Sequence, residues 1–422
     1  GGLEAVVIAA IGLLAGGVAA SPGGGQPSSG RAVDRVVEQP DALEPFHDRL
    51  ASLERGETRL VRILWIGDSH VAADLLTGHA RRLLQARFGD AGPGLVMPGD
   101  PWRYFRHDRA RSRGDGGFET AGLARDAVDP DVGLWGVALQ PRSQGSASLE
   151  GDFAEAEVTV LAPAGEGCVA VSVDGVTAFA GDVGEAVDGT ETPCALVDGA
   201  ILGNGGVVAF IQAREAADER RTLTARDSCG GAVRILGADL RSGRPGVLVD
   251  SVGINGAEIS WLGRPGRELR RVLLGRLDPA LVVVSFGTND MGRPDLLPEE
   301  YEAAAAGLLG ELAEDAPEAA LLVTGPLDRD SRSRRVSRLL AANEPAVIAA
   351  LRSAALGAGA AFVDQRALMG GDGSVRSWAR RRLAARDLVH LSRAGYERVA
   401  GKLVDALLLD YGAGDSEEGP VR

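Results

Sequence analysis

At 422 residues, with 45% hydrophobic and 25% charged side chains, the chain has the make-up of a soluble globular protein and enough length for two or three domains. That composition excludes a disordered chain, a collagen-like chain and a polytopic membrane protein. Its 45 basic against 59 acidic residues leave a formal charge of -14, which argues against a nucleic-acid backbone or an anionic lipid surface as the main partner.

Leu3 to Ala20 is an apolar run broken only by Glu4, and it closes on the small residues Val18-Ala19-Ala20-Ser21. It reads as an export signal or as a retained membrane anchor, which places the protein in the periplasm or cell envelope. Ser21 to Gly30 follows as a Gly/Ser/Pro linker, so residues 1–30 stand outside any fold. The first buried strand is expected at Val61 to Ile66, followed by a Gly67-Asp68-Ser69-His70 turn and a helix over Ala72 to Arg87. Asp74 and His79 on that helix read as surface or packing residues.

From Asp108 to Arg244 the pattern changes to short alternating runs separated by Gly, Asp and Pro, which predicts an inserted β-rich domain. Its only tryptophan is Trp135 and it has no tyrosine, a poor endowment for a sugar-stacking platform. All three cysteines, Cys168, Cys194 and Cys229, lie in this region without CxxC spacing. That excludes the usual zinc and redox motifs and leaves one disulfide of unassigned pairing, or buried thiols.

From Gly246 onward strands and helices alternate again. Strands are expected at Val247 to Val249, Leu281 to Phe286, Ala320 to Thr324 and Ala361 to Val363. Helices are expected at Arg264 to Leu274, Pro298 to Glu314, Asn343 to Leu356 and Ser392 to Leu409. Such alternation implies an α/β fold with a mostly parallel sheet and helices on both faces. Residues 412–422 read as a disordered tail. The domain plan is therefore 31–107 and 245–411 as two parts of one α/β layer, with 108–244 inserted between them.

Four blocks carry chemistry. Ser69 lies on a strand-to-helix turn, at the carboxyl edge where α/β sheets hold ligands. Gly253-Ile254-Asn255-Gly256-Ala257 and Gly287-Thr288-Asn289-Asp290 follow other strands of the same layer, offering glycine N–H groups and an amide. Asp387-Leu388-Val389-His390 places a carboxylate where it can hold an imidazole tautomer, freeing the other ring nitrogen as a base for a serine. A serine nucleophile, a His–Asp pair and convergent N–H donors are the parts of an acyl-transfer site. Basic stretches at Arg103 to Arg113 and Arg329 to Arg338 read as solvated loops or as contacts for an acidic glycan.

The ordered blocks GDS, glycine turn, GTND and DxxH resemble the SGNH or GDSL hydrolase family. With Gly67-Asp68-Ser69-His70, the Phe88 to Gly94 run, Asp250 to Ala257 and Asp387 to Tyr396, the chain is similar to the bacterial peptidoglycan O-acetylesterase branch. The resemblance implies an SGNH-type three-layer fold interrupted by a sandwich-like β domain, and Ser69 and Gly256 do lie far more than the ~30 residues of a βαβ unit apart. It implies Ser69 as nucleophile, His390 as general base and Asp387 as its orienting partner. Ser69 N–H, Gly256 N–H and the Asn289 amide would form the oxyanion hole. No cofactor and no metal are called for. The expected partner is an O-acylated envelope polysaccharide, with the small acyl group released by water. An O-acyltransferase, a general carboxylesterase and a non-catalytic glycan-binding protein are the competing readings.

Overall fold

The computed structural model describes residues 36–124, 128–163, 167–183, 191–192, 195–228 and 232–411. The expected export segment and the 412–422 tail lie outside the described residues, as do Cys194 and Cys229. Cys168 is disulfide-bonded.

A six-stranded sheet carries the strand order Val37–Glu38, Ala361–Val363, Ala320–Thr324, Leu281–Ser285, Leu60–Gly67, Gly246–Gly253. Its Val37–Glu38 edge is antiparallel and every other pairing is parallel. Buried parallel strands read as unbroken apolar runs because both faces are covered, and the burial confirms it. Val61, Ile63 and Trp65 face a core with the helices Glu44–Glu54, Leu76–Phe88 and Arg393–Leu407. The alternate residues Leu64 and Ile66 join a second core with the helices Pro298–Asp315 and Arg334–Gly357.

That second core continues into an antiparallel sheet built on two long strands, Ser146–Pro163 and Gly206–Asp227, which pair along most of their length with a slip between Arg214 and Glu219. Arg234–Arg241 pairs with both Ser146–Pro163 and Gly94–Val96. The other face of this sheet presents Leu161, Val208 and Phe210 to Leu269 and Leu273 of the helix Arg267–Leu277.

Three expected helices differ in extent. The helix after Ser69 is broken: a short turn spans Ser69–Ala72, Asp74 adopts φ 50°, and the main helix starts at Leu76. Asp74 is not a surface residue. It is buried and takes two hydrogen bonds from Arg81, at 2.8 and 3.0 Å, one from Thr77 at 2.6 Å and one from Asp108 N–H at 2.8 Å. The helix expected from Asn343 begins at Arg334, and the last one runs Arg393–Leu407 with Ser392 as its cap, accepting from Gly395 N–H.

One buried ion cluster joins the two sheets. Arg62, inside the central Leu60–Gly67 strand and 3% exposed, donates to Asp250 at 2.7 Å and to Asp239 of the antiparallel sheet at 2.6 Å. Burial opposes its charge, yet the two carboxylates hold the guanidinium pKa above its ordinary value. Breaking a buried pair leaves an uncompensated charge. Arg62→Met is therefore expected to destabilise the protein by about 3–5 kcal/mol, read as a lowered urea midpoint at unchanged slope.

Candidate active site

The site forms where three strands end at one level. Gly253 pairs with Gly67 and Gly67 with Ser285, so the loops after all three leave the sheet side by side. A Cβ on Gly67 would stand 2.5 Å from the Ser285 carbonyl, and one on Gly253 would stand 2.2 Å from Ala72 N. Only glycine permits that approach. Asp68 then caps the short turn, its carboxylate accepting from His70 N–H at 2.9 Å.

Ser69 is 7% exposed, and its Oγ lies 3.0 Å from His390 Nε2. His390 Nδ1 is 2.8 Å from Asp387 Oδ2. A carboxylate only accepts, so the proton sits on Nδ1 and Nε2 presents its lone pair to the serine hydroxyl. Asp387 Oδ1 also accepts the N–H groups of Val389 and His390, each at 3.0 Å. Partial burial raises the carboxyl pKa, but these bonds hold Asp387 below its ordinary value. The tight loop is closed by Leu388 at φ 60°, a left-handed conformation that a branched residue adopts at a cost of ~1–3 kcal/mol. Leu388 is buried in the core, which holds the loop in place.

Across the cleft, Gly256 adopts φ 82° in the turn after Gly246–Gly253, with open space where a Cβ would lie. Asn289 donates one amide hydrogen to the Ala257 carbonyl at 2.8 Å. That bond fixes the plane of the side chain and leaves a second N–H to meet a ligand. Asp290 ties the two loops together, accepting from Ile259 N–H at 3.1 Å and Gly287 N–H at 3.0 Å. Burial pushes its pKa up to about 7. Gly256 and Asn289 line a cavity of about 570 Å³ with Ser260, Trp261, Arg293 and Arg329. Arg329 donates to the Thr288 carbonyl and is depressed in pKa by burial. Two contributions had no clear sequence signal: the strained Leu388, and Arg329, hidden in a basic stretch.

His70 is buried beside Ser69. Its Nδ1 is 2.8 Å from the Tyr396 hydroxyl, and its ring centroid lies 5.5 Å from that of His390. Trp378 fills core, donating to the Met369 carbonyl. Trp135 is likewise buried, at 3% exposure, and offers no sugar platform. Among the described residues no cluster of His, Cys, Asp and Glu could hold a metal ion.

Residues 218–398 match the model of the GDSL-like lipase/acylhydrolase family. The matched stretch contains Gly256, Asn289, Asp387 and His390, while Ser69 lies before it. Among solved structures, a peptidoglycan O-acetylesterase superposes with a TM-score of 0.71 at 22% identity, covering 90% of this chain and 99% of that one. The lipase/acylhydrolase from Enterococcus faecalis gives 0.30 at 19% identity over 40% of this chain and 77% of that one. Est24, a carbohydrate acetylesterase from Sinorhizobium meliloti, gives 0.30 at 15% identity over 39% and 78%. No curated protein matches the chain.

Burial lowers the His70 pKa to about 4, with the nearby His390 and Arg329 charges lowering it and Asp68 and Asp387 raising it. A histidine held neutral in the fold but basic when unfolded stabilises the protein above the unfolded pKa of ~6.5. That stability is lost as pH falls toward about 4. Urea unfolding from pH 7 down to pH 4 should therefore show a smaller loss of stability for His70→Gln than for the parent protein.

Proposed function

We propose that this chain, which carries a GDSL-like lipase/acylhydrolase domain over residues 218–398, is a serine esterase that removes small O-acyl groups, acetyl above all, from an envelope polysaccharide such as peptidoglycan. The observation that carries the reading is the relay from Ser69 Oγ through His390 to Asp387, with steps of 3.0 and 2.8 Å. Ser69 attacks the ester carbonyl while His390 Nε2 takes its proton. The Ser69 and Gly256 N–H groups and the Asn289 amide receive the oxyanion. Collapse expels the sugar alkoxide, protonated by His390, and leaves an acyl-Ser69 ester. Water, deprotonated by His390, then releases the acid and restores the serine.

A short acyl group suits the site. The cavity beside Gly256 and Asn289 is lined by the polar Glu258, Ser260, Arg293, Asp295 and Arg329, with Trp261 and Pro294 as its apolar members. Such walls give little of the ~0.8 kcal/mol per buried methylene that would favour a fatty chain. In this reading residues 108–244 form a β domain inserted into the hydrolase layer, and the Leu3 to Ala20 run assigns the protein to export. The fold shared with the peptidoglycan O-acetylesterase structure supports the polymer class.

Acetate release from O-acetylated peptidoglycan, measured beside a small chromogenic acetate ester, tests the reading. Ser69→Ala and His390→Ala are expected to lose about 10⁴–10⁶ in kcat on both. Asp387→Asn should retain more, because the Asp387–His390 pair is about half exposed and packing keeps part of the ring's orientation. Wild-type rates for Ser69→Ala would sink the mechanism. A sugar acceptor that suppresses acetate release while becoming acylated would convert the assignment to an acyltransferase.

Asn289 makes a separate prediction. A donor that strengthens as charge develops acts on the transition state alone. Asn289→Ala is expected to lower kcat by about 10²–10³ with little change in KM. A raised KM at constant kcat would make Asn289 a substrate contact instead.

A further inference from the structure

The segment from Gly99 to Arg113 borders a groove of about 750 Å³ that plays no part in the acyl-transfer chemistry. It is pinned to the two loops that matter most. Trp102 Nε1 donates to Asn255 Oδ1 at 3.2 Å, one residue before Gly256, and Asp108 N–H donates to Asp74 at 2.8 Å, just beyond the Ser69 turn. Trp102 is steadied by edge-on packing against Phe105, with centroids 4.9 Å apart.

The charge of this groove runs against that of the chain. Arg103, Arg106 and Arg111 line it and are exposed, and no carboxylate among the described residues pairs with any of them. Their neighbours differ: Arg109 pairs with Asp90 at 2.6 Å, Arg113 with Glu150 at 3.1 Å, and Arg82 with Asp108. The Asp100 carboxylate in the groove accepts from Gly114 N–H at 3.2 Å. Arg106 is oriented by donating to the Arg103 and Phe105 carbonyls, and Arg103 stacks over Tyr104, itself 57% exposed. Three unpaired guanidinium groups beside exposed aromatic surface suit a ligand with spaced carboxylates and apolar sugar faces.

We infer that this groove binds a strand of carboxylate-bearing polysaccharide and lays it alongside the Ser69 and Gly256 loops. Binding by the groove stands on its own residues; only the delivery of an ester to Ser69 rests on the esterase reading. The strand is held by charge at Arg103, Arg106 and Arg111, outside the catalytic machinery, so the groove governs capture of polymer and leaves the chemistry of a small ester untouched.

The test compares the full chain with an Arg103→Ala/Arg106→Ala/Arg111→Ala variant. Co-sedimentation with insoluble peptidoglycan should be tight at low salt, weak at high salt, and at least about tenfold weaker for the variant, since exposed charges are screened within ~8–10 Å at physiological ionic strength. On O-acetylated peptidoglycan the variant should lose about tenfold in kcat/KM, mainly through KM. On a neutral acetylated polysaccharide and on a small acetate ester it should stay within about twofold of the parent. Lysine at the same three positions should restore most of the binding, which a mere folding defect would not show.

Equal binding by parent and alanine variant would overturn the proposal, as would equal losses on acidic and neutral polymers. Single-stranded DNA bound as tightly as the acidic glycan would also overturn it. Failure of every ester assay with salt-sensitive binding intact would reject the esterase reading and leave the groove standing.

Discussion

The site depends on how closely three strand ends can approach. Gly67 and Gly253 sit at matched register, each with backbone where a side chain would have to go. That contact brings the short Ser69–Ala72 turn down onto the Gly246–Gly253 strand and puts the serine, the Gly256 turn and the Asn289 loop on one edge. Further bonds lock the level: Asp68 N–H donates to the Ser285 carbonyl at 3.2 Å and Ile254 N–H to the Gly67 carbonyl at 3.0 Å. Catalytic geometry needs positioning on the scale of ~0.5 Å, which rigid strand ends supply better than free loops.

Around this frame, buried charges are neutralised locally. Arg62 with Asp239 and Asp250, and Arg81 with Asp74, are held inside the protein as ion pairs. Nearer the serine, burial disfavours the charged form of two groups. His70 is kept neutral by burial, so its ring, 5.5 Å from that of His390, sets no second imidazolium beside it. Asp290, raised in pKa by its burial, braces the Asn289 loop from below. The His390–Asp387 end, by contrast, is about half exposed to solvent.

Much of this was legible because the informative residues are local in sequence. The runs around Val61 and Leu281 are apolar on both faces, so the parallel layer could be read without knowing its partners. Asp387 and His390 sit three residues apart on one loop, so their pairing is written into the spacing. Long-range facts were not legible. Arg62 inside an apolar strand shows its purpose only when Asp239 arrives from the other sheet. The polar run Arg214 to Arg221 has no apolar alternation of its own, yet it lies inside a strand of 22 residues because Ser146–Pro163 lies beside it. Asp74, at the break in the helix, likewise takes one of its bonds from Asp108, far along the chain. Contacts made in three dimensions overrode local pattern in each case.

The central claim is that Ser69 carries the acyl group, and trapping that intermediate tests it most directly. Acid quench during turnover of an activated acetate ester, followed by peptide mapping by mass spectrometry, should find one acetyl group on the peptide containing Ser69. His390→Ala should show none above background. An acetyl group on a different peptide, or steady turnover with Ser69 unmodified and no burst of alcohol release, would contradict the account.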